Sequence, residues 1–130
     1  MKKEFGGGNE KVNIRLFGQI LRELGKYDLA KKIYHRLLAE LPANDPSLSA
    51  LYCDLGMVTY NKAAYDSSLE WYQKSLLIEE QEGSSNYRNI GNLYNYIGEI
   101  YRVKRELERA LESYNKAIEL FEKALNIYQH

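Results

Sequence analysis

From Leu93 to Glu122 the chain reads LYNYIGEIYRVKRELERALESYNKAIELFE. Apolar and small residues fall at Tyr94, Ile97, Gly98 and Tyr101, and again at Leu107, Ala110, Leu111, Tyr114 and Ile118. Spacings of three and four put each set on one face of a helix. The phase breaks between the sets, so the stretch reads as two helices joined by a tight turn.

The pattern recurs upstream, which is the mark of a repeat architecture. LYCDLGMVTYNKAAYDSSLEWYQKSLLIEE, residues 51–80, carries Leu51, Tyr52, Leu55 and Val58 on its first helix. Leu69, Tyr72, Leu76 and Glu79 follow the same rise on its second. LFGQILRELGKYDLAKKIYHRLLAELP, residues 16–42, is the earliest copy. Gly18, Gly56 and Gly98 align, at intervals of 38 and then 42 residues. Pro42 stops a helix, and Asp45-Pro46-Ser47 supplies an N-cap with proline at the first helical position. Gly25 and Lys62-Ala63-Ala64 mark turns inside repeats, and Gly83-Ser84-Ser85 separates the last two. Helices are expected at about 10–24, 27–41, 47–62, 65–81, 85–103 and 106–128. No stretch alternates apolar and polar residues over strand length, so no sheet is expected. The expected fold is all-α: a right-handed α-solenoid of three antiparallel helix pairs over residues 10–130. Its repeats span about 11–44, 49–82 and 91–128, behind a flexible lead-in, MKKEFGGGN, at 1–9. The glycines of that lead-in follow no strand and have the wrong spacing for a dinucleotide fingerprint.

These residues resemble the tetratricopeptide repeat, whose signature combines an aromatic, a leucine-glycine pair, further aromatics and small residues. The first copy supplies Phe17-Gly18, Leu21, Gly25-Lys26-Tyr27, Ala30, Tyr34 and Pro42. The second supplies Tyr52, Leu55-Gly56, Tyr65, Ser68, Tyr72 and Ser75; the third supplies Tyr94, Ile97-Gly98, Tyr101, Leu107, Ala110, Tyr114 and Ala117. Eight of the twelve tyrosines fall at signature positions, so their expected role is packing between hairpins. The long intervals are similar to the variant repeats of kinesin light chains and cell-polarity adaptors. The first repeat with its linker is similar to arrays attached to ADP-ribosyltransferase-like proteins. That kinship implies a non-catalytic repeat segment of such an enzyme as the alternative to a free-standing scaffold.

Composition narrows the function. Eighteen basic residues balance eighteen acidic ones, which lacks the surplus positive charge that nucleic acid attracts. No apolar run is long enough to cross a membrane, and the polar, glycine-rich start has no signal-peptide pattern. Cys53 is the sole cysteine, which fits a reducing, cytoplasmic setting. His35 and His130 have no companions at metal-ligand spacing, and Cys53 has no nearby histidine to activate it. The expectation is therefore no catalytic residues, no metal and no cofactor, and a protein or peptide as the partner.

The inner wall of a helical solenoid is lined by the first helix of each repeat. The phase assigns to it Arg15, Gln19 and Arg22; then Ala50, Cys53, Asp54, Met57 and Tyr60; then Asn92, Asn95, Tyr96, Glu99 and Arg102. Asp54 beside Arg15, Arg22 and Arg102 implies a polar ligand of both charges, held partly by Tyr60 and Tyr96. Family members that grip the C-terminal carboxylates of chaperones use lysine, arginine and asparagine at the positions of Arg15, Gln19, Asp54, Asn92 and Tyr96. Arg15 alone keeps the needed charge, so no such binding is expected. Ala117, Phe121, Ala124, Leu125 and Tyr128 continue an apolar stripe beyond the last repeat signature. Phe121, Leu125 and Tyr128 are the candidates for self-association as a homodimer through the C-terminal helix.

Overall fold

A computed structural model of the chain describes residues 7–82 and 86–129. Six helices form: α1 (Gly7–Glu23), α2 (Tyr27–Glu40), α3 (Leu48–Asn61), α4 (Tyr65–Gln81), α5 (Tyr87–Val103) and α6 (Leu107–Gln129). No strand occurs among the described residues. Every helix end lies within three residues of its expected place. The largest difference is at the start, where α1 reaches back to Gly7 and takes in 7–9 of the expected lead-in. The remainder of that lead-in, and Gly83-Ser84-Ser85, lie outside the described residues. Among the described residues no helix is long and apolar enough to cross a membrane.

Helices pair as α1–α2, α3–α4 and α5–α6, and the pairs stack through α2–α3 and α4–α5. Each hairpin touches only its neighbours, which is solenoid organisation. The core is accordingly two clusters rather than one. Leu21, Ala30, Tyr34 and Leu37 meet Leu51, Leu55 and Val58 at the first joint. Tyr72 meets Leu93, Ile97 and Ile100 at the second.

The hairpin turns repeat one device. Gly25, Ala63 and Arg105 stand at the same place in each repeat and all have positive φ, at 80°, 62° and 66°. In each turn the next amide reaches back to the last helical turn: Lys26 N–H to Leu21 O at 2.8 Å, Ala64 to Thr59 at 2.9 Å, Glu106 to Tyr101 at 2.8 Å. The left-handed residues donate to Arg22, Tyr60 and Arg102 carbonyls at 2.9, 2.9 and 3.0 Å. This pair of bonds is the Schellman closure, which satisfies carbonyls a helix end leaves open. Only the first repeat has the residue suited to it, because a Cβ is crowded in left-handed backbone.

Between the paired helices a glycine lies under a tyrosine ring. A Cβ on Gly18 would come 2.5 Å from Tyr34 Cε1, on Gly56 2.6 Å from Tyr72 Cε1, and on Gly98 2.8 Å from Tyr114. Small residues on the second helix permit the same approach: Ser68 is fully buried and donates to Gly56 O at 2.7 Å. Trp71, to which the repeat pattern assigns no role, packs on the first joint and stacks on Tyr52 at 5.7 Å.

Two substitutions test these features. Ala63→Gly removes left-handed strain and should stabilise by about 1 kcal/mol, raising Tm by about 3–5 °C. Thermal unfolding followed by circular dichroism checks this; an unchanged or lower Tm would contradict it. Gly56→Ala gains about 1 kcal/mol of helix propensity but forces a methyl into the buried Tyr72 ring, costing about 1–3 kcal/mol. A net loss of about 1 kcal/mol is expected in urea titration, and a net gain would show that the ring yields.

Candidate functional site

The first helices α1, α3 and α5 lie side by side, and one groove of ≈ 410 Å³ crosses them. Its wall includes Arg15, Gln19, Arg22 and Glu23 from α1, then Ser49, Ala50, Cys53, Asp54 and Met57 from α3. Helix α5 adds Asn89, Asn92, Leu93 and Tyr96, and α4 adds Ser75 and Glu79. The groove runs obliquely, from the C-terminal half of α1 to the N-terminal half of α5. The sequence phase takes the same register positions on every first helix as the wall. Arg15, Gln19, Arg22, Asp54, Met57, Asn92 and Tyr96 therefore meet in the groove, whereas Tyr60, Asn95, Glu99 and Arg102 lie off it.

Two charges of the groove, Arg15 and Asp54, are matched against each other. Arg15 Nε donates to Asp54 Oδ2 at 2.6 Å and its Nη2 to Oδ1 at 3.3 Å. The Asp54 side chain is 6% exposed and that of Arg15 25%. The hydrogen bond to Asp54 raises the Arg15 pKa further, against the opposing effect of burial. This pair ties α1 to α3, so Asp54 is a fixed part of the wall and not a free anion offered to ligand. Arg22 reaches across the same joint, donating to Asn61 Oδ1 at 3.3 Å, and also lines the groove, with guanidinium donors beyond that one bond.

A polar network closes the base. Ser49 Oγ donates to Glu79 Oε2 at 2.7 Å and lies 2.9 Å from Ser75 Oγ, which donates to Ser49 O at 2.9 Å. The sequence pattern puts Glu79 on the apolar rise of α4. The structure puts it in the groove, where Ser49 of α3 donates to it. Asn89 and Leu93 lie one turn before Asn92 and Tyr96 on α5, so extending the phase by a turn finds them. Ser75, Glu79 and Glu23 have no such signal.

Gln19, Asn89 and Asn92 have no side-chain hydrogen bond among the described residues, and each amide offers donors and an acceptor. Tyr96 stacks on Tyr72 at 5.3 Å and supplies an apolar wall with Leu93 and Met57. Cys53 borders the groove, but burial first and then Asp54 push its thiol up to about 12. It remains a thiol at neutral pH and lacks the thiolate a nucleophile requires.

Off the groove, Glu99 is a hub. Tyr114 Oη donates to it at 2.9 Å, Tyr60 Oη at 3.3 Å and Arg102 Nε at 3.2 Å. The Arg102 and Tyr114 hydrogen bonds hold its carboxyl below the usual range despite some desolvation. Arg102 is thus engaged with Glu99 and does not flank Asp54. Tyr60 packs edge-on against Tyr65 at 5.4 Å and serves the second joint. Asn95 is exposed.

Of the residues expected to drive self-association, Phe121 turns inward in part. A Cβ on Gly91 would lie 2.7 Å from its Cε1, so α6 leans its ring on the start of α5. Leu125 remains 56% exposed, and the Tyr128 side chain lies outside the described residues.

Comparison with known proteins agrees with this fold. No curated protein matches the chain. BtubC (BKLC) from P. vanneervenii superposes with a TM-score of 0.72 at 24% identity, over 85% of this chain and 45% of that one. PcrH in complex with the chaperone binding region of PopB gives 0.70 at 19%, over 86% and 81%. The TPR2AB domain of yeast Sti1 in its pHSP90 complex gives 0.73 at 14%, over 94% and 49%. The chain thus spans under half of BtubC and of the Sti1 domain, and these likenesses concern the fold. The profile of the tetratricopeptide repeat matches residues 16–39 and again 46–123. With more than half its length matched, and a glycine beneath a tyrosine in each of its three hairpins, this chain belongs to the tetratricopeptide-repeat family.

Proposed function

We propose that this protein is a non-catalytic, cytoplasmic scaffold that holds an extended segment of another protein in its oblique groove. The observation that carries this is the set of side-chain amides without hydrogen-bond partners among the described residues, Gln19, Asn89 and Asn92, beside the apolar wall of Met57, Leu93 and Tyr96. Amides present a donor and an acceptor together, which is what an extended backbone needs from its host. The apolar wall takes side chains alternating along such a segment. Two structurally similar tetratricopeptide proteins have been seen with partners, PcrH with a region of PopB and Sti1 with pHSP90.

The pairing of Arg15 with Asp54 sets the charge preference. Arg22 is a cation on the wall with donors beyond its one bond to Asn61, while Glu23 and Glu79 bring negative charge to the same wall. A strongly acidic tail is therefore disfavoured, and a near-neutral segment rich in backbone contacts is favoured.

A displayed library of random peptides screened against the chain should yield ligands of this kind. Asn89→Ala with Asn92→Ala removes two hydrogen-bonding groups, each worth about 0.5–1.5 kcal/mol, and should weaken them about tenfold or more. Asn95→Ala, off the groove, should leave affinity unchanged. Equal affinity for all three proteins by calorimetry would move the site elsewhere. A peptide ending in Glu-Glu-Val-Asp should not bind the wild-type chain. Asp54→Asn releases the charge of Arg15 and should introduce salt-sensitive binding of that peptide. Tight binding to the wild type would refute the charge assignment.

A further inference from the structure

Both ends of the helical stack expose apolar faces. On α1, Phe17 and Ile20 are 50% and 54% exposed. With the repeat glycines aligned, Phe17 stands in register with Leu55 and Ile97, and Ile20 with Val58 and Ile100. All four of those residues are buried against the preceding hairpin. On α6, Leu111 and Ile118 are 61% and 54% exposed. They stand in register with Leu69 and Leu76, which pack on the core of the following hairpin. One end therefore carries the first half of the internal joint, and the other end carries the second half.

We propose that copies of this chain stack end to end, the α1 face of one on the α6 face of the next. The contact reproduces between chains the joint that occurs twice within the chain. Charge supports this occupant. Across the first joint Arg22 donates to Asn61. Arg102 is in register with Arg22, and Glu23 with Asn61, so stacking sets Arg102 of one copy opposite Glu23 of the next. Two internal ion-pair rungs are not reproduced. The register of Arg15 and Asp54 sets Asn95 against Leu16. Lys62 pairs with Asp28 and Lys104 with Asp66, whereas the register sets Leu24 against Glu108. Leu24 is exposed and lies in register beside Leu107, which is exposed on the partner face, so an apolar contact stands next to Glu108 there.

This contact joins two different faces and does not close on itself, so assembly lengthens with concentration. Successive copies would prolong the inner wall. The apolar stacking faces share no residue with the groove, and of the charged pair only Glu23 borders it, so the Phe17, Ile20, Leu111, Ile118 and Arg102 variants separate a failure of stacking from a failure of peptide binding.

Sedimentation velocity from micromolar to millimolar concentration tests the proposal, with helicity checked by circular dichroism. The wild type should associate progressively. Phe17→Glu with Ile20→Glu closes one face, and Leu111→Glu with Ile118→Glu closes the other. Each variant alone should be monomeric, and an equal mixture should give a one-to-one dimer and nothing larger. A wild type that stays monomeric throughout overturns the proposal. So does an α1-face variant that still associates, which is the outcome for pairing of α6 with α6 through Phe121 and Leu125. Should a double variant fail to fold, Arg102→Glu and Glu23→Arg replace it. Each alone should weaken association about two- to fivefold, and their mixture should restore it. No effect of either charge reversal overturns the proposal as well.

Discussion

The distance between paired helices in this protein is set where a tyrosine ring lies on a glycine. Gly18, Gly56 and Gly98 offer bare backbone, and Tyr34, Tyr72 and Tyr114 occupy the space a Cβ would need. A rigid ring in that slot fixes both the separation and the rotation of the two helices. Buried Tyr34 and Tyr72 then extend inward to border the next hairpin, so one contact governs the pair and the stack alike. Where the glycine returns at Gly91, Phe121 takes the place of tyrosine and carries α6 back over α5. The same steric rule thus shapes the end of the array.

Because the helices are held at a set spacing, the inner wall can be built from groups that satisfy one another across hairpins. Arg15 with Asp54, Arg22 with Asn61, and Tyr60 with Glu99 each bridge adjacent first helices. Bridges of this kind align the helices, and the ion pair also takes Arg15 and Asp54 off the list of charges available to a ligand. An ion pair as buried as Arg15–Asp54 contributes little net stability, since desolvation offsets most of the attraction, but an unmatched partner would be costly. What remains open on the wall is mainly amides and apolar surface, and these recognise backbone shape better than they recognise charge.

A solenoid differs from a globule in having no single centre. The two core clusters here are separate, and each is a joint between neighbours. The outer faces of α1 and α6 are half-joints by construction. Their exposed leucines, isoleucines and phenylalanine stand at positions that are core within the internal joints, unlike the scattered apolar residues common on protein surfaces.

The local rules of the chain were legible in order. Period and punctuation located six helices, and the recurrence of glycine with aromatics paired them, because both signals are local and are repeated in phase. The turns were legible as turns, but their common left-handed residue was not, since Ala63 and Arg105 show no glycine to mark it. Tertiary structure decided the direction of the groove. The packing of α4 on α3 brings Glu79 and Ser75 to the groove through Ser49, whereas Asn95 and Arg102 lie off it. It also decided that Asp54 faces Arg15 and not a ligand, because that pairing spans 39 residues and depends on how α1 settles on α3. Residue spacing along one helix encodes which face is buried. Which charges meet across helices follows from the angle between them, and that angle emerges only when the whole stack is packed.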